Sequence, residues 1–369
     1  MRRKLKLIIT LILISISFSA LSLTNLFYSM RDNDVPHLRD HYRVLNDIKK
    51  HHQKIDILIP QAYVINPEGV LYKFVEPETA QATKKYNIKL MPLVTNEDFN
   101  ANKVNRFLQN KTAEQRAIDS LVTVCKQKKY YGFQIDFEHL PERDRTLFTE
   151  FYQGTANALH HAGCKVSIAI VPARQSIPVS DVLLKRDIYW AGAYDQKQIG
   201  KVSDFVVLMT YNQHGAMTPP GPNAGYALDK KAVEHALKNI PKQKVFLGIP
   251  TTSNYWTMAP IDNTFKNIKM TLNDKPISPD VAQAVAISYE QVKLLQKKHH
   301  LKWLWDKQSK VHYAMFDYQD FYRYVFIEDA ASFAAKRQLA KQYHLGGIAV
   351  FRLGTEDHNI WGRPSQIQI

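Results

Sequence analysis

Tyr131-Gly132-Phe133-Gln134-Ile135-Asp136-Phe137-Glu138 is a short strand with two chemically different faces. Alternate residues of a strand share a side, so Gln134, Asp136 and Glu138 point one way and Phe133, Ile135 and Phe137 the other. Three polar side chains on the inward face of a hydrophobic strand are costly unless they are hydrogen-bonded or do chemistry. A buried structural network would explain them. Acid-base chemistry at the open end of a parallel barrel explains them better, because barrel active sites sit at the C-terminal ends of the strands.

Working outward, apolar β-branched runs recur near Leu26–Ser29, Ile55–Val64, Ile88–Val94, Lys165–Val171, Asp204–Thr210, Val245–Pro250 and Gly347–Phe351. Helical patterns such as AEQRAIDSLVTVCKQ and DAASFAAKRQLAKQYHL separate them. Near-continuous hydrophobic strands belong to parallel sheets buried on both faces. Eight strand–helix units predict an α/β fold, a (β/α)8 TIM barrel. A doubly wound sheet is the alternative, but no Gly-rich phosphate loop follows any strand. The rhythm stops between the seventh and eighth strands, where TLNDKPISP, KWLWDKQSKVHYAMFDY and YRYVFIEDA predict a small α+β insertion over about residues 255–330.

The chain has 369 residues, a net charge of +15, 45% hydrophobic residues and two cysteines. Ordinary globular composition excludes disordered, collagenous and coiled-coil classes, and two cysteines exclude a disulfide-dense or multi-cysteine zinc scaffold. The positive charge reads first as a solvated basic surface, and second as attraction to a polyanion. No basic run is interleaved with aromatics, so no nucleic-acid partner is expected. The adjacent histidine pairs diverge on a helix and do not form a ligand set, and no metal or cofactor is expected.

MRRKLK followed by LIITLILISISFSALSL has the layout of a secretory signal peptide, with an uncleaved membrane anchor as the alternative. Residues 1–22 are assigned to this segment and 23–369 to the barrel, so the protein is expected to be exported to the periplasm, cell envelope or medium. Export permits a disulfide. Cys125 and Cys164 each precede a predicted strand by a short distance, which admits either a bridge or two buried thiols.

Two carboxylates at i and i+2 lie close together, and their repulsion should raise one pKa so that Glu138 stays protonated. The ordinary two-carboxylate glycosidase places its pair across the substrate on separate elements, about 5–9.5 Å apart. Neighbours on one strand suit a substrate that supplies its own nucleophile. The stretch 131–138 resembles the signature of glycoside hydrolase family 18, Asp-Gly-x-Asp-x-Asp-x-Glu on the fourth barrel strand. Tyr131 and Gln134 depart from it. The amide at 134 is similar to the branch of bacterial spore cortex-lytic and cell-wall N-acetylglucosaminidases. AGAYDQKQIGKVSDFVVLMTYNQHG, VFLGIPTTSNYW and EDAASFAAKRQLAKQYHLGGIAVFRLGTED resemble the later strands of that branch, in order.

The resemblance implies catalytic roles for Glu138 as acid, Asp136 as the group that orients a 2-acetamido nitrogen, and Tyr211 as donor to the acetamide oxygen. It implies that Gln134, Met209 and Asn212 line the sugar site, with Asn212 where the family often has Asp. Phe351 stands where chitinases commonly place Trp as a floor under the sugar. Trp256, just past the seventh strand, and Tyr63, at the end of the second, are further candidates for the cleft wall. The expected partner is an N-acetylglucosamine-containing polysaccharide, bacterial peptidoglycan before chitin oligomers, with a membrane tether through the N-terminal segment as an added contact. A non-catalytic glycan-binding barrel and an exopolysaccharide accessory protein are the rival readings.

Overall fold

The computed structural model describes residues 23–30, 41–172, 190–215, 218–258, 270–272, 275–277, 283–319 and 321–362. The N-terminal segment 1–22 lies outside the described residues. Seven parallel strands follow one another along the chain: β1 (Thr24–Ser29), β2 (Ile57–Ile65), β3 (Leu93–Asn96), β4 (Gly132–Asp136), β5 (Lys165–Ile170), β6 (Phe205–Leu208) and β7 (Val245–Pro250). After an excursion, β13 (Gly347–Phe351) pairs with both β7 and β1, and β1 pairs with β2. The sheet therefore closes on itself as the eight-stranded parallel barrel that the sequence predicts.

The outer layer comprises α1 (His41–His51), α2 (Pro77–Lys85), α3 (Ala101–Gln109), α4 (Lys111–Lys128), α5 (Arg145–His161), α6 (Gln196–Val202), α7 (Tyr226–Ala236) and α9 (Ala330–Gln342). Side chains start several of them. Asn100 and Asn110 accept backbone N–H groups at the heads of α3 and α4, and Asp329 with Ser332 makes a capping box on α9. β4 is buried along its whole length. Gly132 opens it because a side chain there would collide with the carbonyl of Lys165 on β5. Phe137, just past the strand, packs among Phe107, Phe148 and Phe151 of the outer helices, the outward direction that alternation assigns it.

The third strand is shorter than its hydrophobic run. Pro92 has no N–H to give, so Lys89–Leu90 pair with β2 separately and β3 proper starts at Leu93.

Between β7 and β13 stands a five-stranded antiparallel sheet in the order β9-β8-β12-β11-β10. Its strands are β8 (Ser253–Met258), β9 (Gln283–Ile287), β10 (Leu304–Asp306), β11 (Val311–Tyr318) and β12 (Phe321–Ile327), and α8 (Tyr289–His299) packs on one face. The other face holds a small core of Trp256, Met258, Val311, Tyr324 and Phe326. At the barrel's N-terminal end the sulfurs of Cys125, in the last turn of α4, and Cys164, before β5, are bonded to each other.

Candidate active site

A pocket opens at the C-terminal end of the barrel. β4 delivers Asp136 and Glu138 into it, β6 leads to Met209, Tyr211 and Asn212, and β13 ends in Phe351. These six sequence-predicted residues are brought together. Asp136 is buried, and its Oδ1 has no hydrogen-bond partner. Glu138 Oε2 accepts a 2.9 Å bond from the indole N–H of Trp190. The ring of Phe351 stacks on Tyr211 at 5.1 Å and meets Tyr28 edge-on at 5.6 Å.

The backbone of Glu138 is fixed from β3. Its N–H donates to Asn96 Oδ1 at 2.9 Å, and its carbonyl accepts from Asn96 Nδ2 at 3.2 Å. Tyr194 donates to the neighbouring carbonyl of Phe137 at 2.6 Å. The strand end that carries both carboxylates is thus held by side chains from two other elements.

Burial raises both carboxyl pKa values. Asp136 is pushed well above the ordinary range by desolvation first and by the charge of Glu138 second. Glu138 is also raised by desolvation, against the Trp190 N–H, which favours its ionised form. The sequence predicts repulsion as the cause at Glu138. Burial is the larger cause at both groups, and the repulsion falls on Asp136. Burial and the nearby carboxylates also raise the Tyr211 phenol, so it remains a hydrogen-bond donor at neutral pH. The arrangement can hold a proton on a buried carboxyl and present a phenol donor beside it.

Three predicted site residues lie elsewhere. Gln134 is fully buried beneath the pocket floor, accepting from Tyr28 at 2.6 Å and donating to Ser167 at 3.0 Å. It ties β1 to β5 across the barrel interior instead of facing sugar or bonding Asp136. Tyr63 turns outward. The register of β2 against β3 slips between Gln61 and Tyr63, and this extra residue reverses the alternation. Tyr63 therefore packs on Phe133 and Tyr130, while Gln61 lines the pocket. Trp256 is wholly buried in the insertion, its N–H on the carbonyl of Gly221 at 3.3 Å. β8 begins at Ser253, so Trp256 is a core residue of the added sheet and not a rim residue of the barrel.

Tyr28, Gln61, Asn96 and Trp190 carry no assignment from sequence. Tyr28 and Asn96 sit at the C-terminal ends of their strands, the position that identifies Asp136 and Glu138. Trp190 comes from the β5–α6 connection, and its backbone bonds to Leu140. Its ring also stacks on His139 at 5.5 Å.

Asp47, Glu356 and His358, outside the pocket, bring potential metal-ligand atoms within 4.8 Å of one another. A cation is already among them. Arg43 bonds the carbonyl of Glu356 at 2.9 Å and lies 3.5 Å from His358 Nε2. Burial, then Glu356, pushes Asp47 up to about 8. The group reads as a buried carboxyl pair beside Arg43, with His358 exposed at its edge.

A family model, glycosyl hydrolases family 18, matches residues 14–356. The chain belongs to glycosyl hydrolase family 18. It is a glycoside hydrolase. The uncharacterized glycosylase YvbX of Bacillus subtilis is 28% identical over 322 residues, 86% of each chain. A cortical fragment-lytic enzyme of the same organism is 24% identical over 76% of this chain and 60% of its own. Among solved structures, the spore cortex-lytic enzyme SleL of Bacillus megaterium matches with a TM-score of 0.76 at 22% identity. That match covers 92% of this chain and 72% of the other. A chitinase of Chromobacterium violaceum matches at 0.75 and 20% identity, covering 92% and 97%. These two structures share the fold of this chain.

Proposed function

We propose that this family 18 protein is an exported retaining glycosidase that cuts β-1,4 bonds after N-acetylglucosamine, with bacterial peptidoglycan as its polymer. The observation that carries the mechanism is the unpartnered Oδ1 of buried Asp136 beside Glu138 on one strand end. Among the described residues lining the pocket, these two are the carboxylates, and neighbours on one strand end suit a substrate that supplies its own nucleophile.

In this reading Glu138 gives its proton to the leaving glycosidic oxygen. The acetamide oxygen attacks the anomeric carbon as that bond breaks. Asp136 accepts the acetamide N–H and offsets the positive charge that grows there, and Tyr211 donates to the acetamide oxygen to align it. Water then opens the oxazolinium ring, with Glu138 taking its proton back, and two displacements give retention. Phe351, held flat by Tyr211, offers an apolar face to the sugar ring.

Peptidoglycan is favoured over chitin by the cortical fragment-lytic relative. Digestion of purified peptidoglycan and of chitin oligomers, beside Glu138→Gln, tests the reading. Fragments with N-acetylglucosamine at the new reducing end, absent with Glu138→Gln, support it. Sugar binding by both proteins with no cleavage by either would make the barrel a lectin.

A further inference from the structure

The end of the barrel opposite the pocket is rich in lysine. At the end opposite the pocket, α1 finishes in Lys49 and Lys50 and its connector carries Lys54. α2 finishes in Lys84 and Lys85, followed by Lys89. α4 finishes in Lys126 and Lys128, followed by Lys129. The remaining helix ends and connectors add Lys165, Lys201, Lys238, Lys242, Lys244 and Lys341. All but Lys244 are exposed. The same turns and connectors hold three carboxylates, Asp56, Asp204 and Glu234, and Asp204 is already paired with Lys165 and His160.

Cations in the last turn of a helix complement its dipole. That does not explain Lys54, Lys89, Lys129, Lys165, Lys238 and Lys242, which lie beyond the α-helices, or the scarcity of acids between them. Gathering like charge on one face destabilises the fold through self-repulsion, so the face needs a counter-charge. None of these residues is arginine. Arginine suits bidentate capture of single phosphates, whereas lysine acts as a mobile point charge toward a spread anionic surface. The chain also enters the barrel here. Thr24 N–H bonds the carbonyl of Gly346 at this end, and in sequence the uncharged stretch LIITLILISISFSALSL runs directly into it.

We propose that this closed end of the barrel is a docking face for an anionic phospholipid bilayer. The lysines lie against the headgroups beside the point where the apolar segment joins, and the pocket faces away from the membrane. Juxtamembrane lysines add attraction that salt weakens and neutral lipid does not provide. This inference does not depend on the hydrolytic reading, since it concerns the face opposite the pocket.

The full chain should be partitioned into phosphatidylcholine vesicles and into vesicles with one-third phosphatidylglycerol, and the ratio of the two partition coefficients taken. The ratio cancels whatever the apolar segment contributes to both. The unaltered chain should favour the anionic vesicles by more than tenfold at low salt. The combined change Lys84→Gln, Lys85→Gln, Lys126→Gln, Lys128→Gln and Lys129→Gln should cut that ratio at least tenfold. An equal change in the insertion, at Lys293, Lys297, Lys298, Lys302 and Lys307, should leave it within twofold. A ratio near one for the unaltered chain, or equal losses in both variants, would overturn the proposal. So would complete displacement from anionic vesicles by soluble polyglycerol phosphate at equal phosphate, which would assign the face to an acidic polymer.

Discussion

Asn96 holds Glu138 by its backbone, accepting from its N–H at 2.9 Å and donating to its carbonyl at 3.2 Å. A side chain on β3 therefore sets where the carboxyl on the end of β4 stands. Asn96→Ala leaves two backbone groups of a poorly hydrated strand end without partners, at a cost of about 1–3 kcal/mol in stability. The positional loss should reduce kcat by about 10–100-fold with KM little changed, since the sugar contacts remain. Steady-state kinetics on a soluble oligosaccharide would read that split. An equal rise in KM would show that Asn96 shapes the sugar site instead.

Trp190 acts on the same group through its charge state. Its N–H stabilises the ionised form of Glu138, opposing the rise caused by burial. Trp190→Phe keeps an aromatic ring and removes the N–H donor, so the Glu138 pKa should move further up. A general acid works while protonated, so the alkaline limb of the kcat/KM profile should shift to higher pH, with about tenfold loss or less at the optimum. A limb that stays in place would mean another group sets it.

Phe351 and Trp256 separate floor from scaffold. Phe351→Ala removes the ring that Tyr211 supports beneath the sugar and should raise KM by about three- to tenfold, on the scale of about 0.5–1.5 kcal/mol for a lost ring contact. Trp256→Phe should leave KM unchanged and lower the melting temperature, because its indole is sealed in the insertion core.

That contrast marks where sequence reading succeeds. The barrel is legible because buried parallel strands must be hydrophobic throughout, and the carboxylates because an ionisable pair on such a strand is costly unless it is hydrogen-bonded or does chemistry. Tyr63 is misplaced because a one-residue slip in β2 inverts every later side, and slips leave no compositional mark. Trp256 is misplaced because an aromatic in an added sheet has the same local sequence as one on a rim. Asn96 and Trp190 are illegible for a different reason. Each acts on a residue more than forty positions away, and only the closed barrel brings them together.

The bond between Cys125 and Cys164 closes a loop with a separation of 39 residues, tying α4 to the start of β5. Chain-entropy reasoning assigns such a loop about 3–4 kcal/mol. Cys125→Ala with Cys164→Ala should lower the melting temperature by several degrees and leave kcat intact, because the bridge lies at the end of the barrel opposite the pocket. The unaltered protein should show the same loss in reductant and the double variant none.

Asp136 links activity to stability with opposite signs. Its carboxyl pKa is raised in the folded protein by burial and by Glu138, so folding takes up a proton that the unfolded chain has released. Below the unfolded pKa both states are protonated and the group contributes nothing. As pH rises from there toward the folded value, the unfolded chain ionises first and stability falls. At neutral pH the folded protein therefore carries a cost at Asp136. Asp136→Asn removes it, and the melting temperature at pH 7 should rise by a few degrees while hydrolysis falls at least 100-fold. At a pH below the unfolded pKa, about 3.9, the two melting temperatures should converge. If Asp136→Asn were instead less stable at pH 7, its carboxylate would be satisfied in the fold and not held for a substrate.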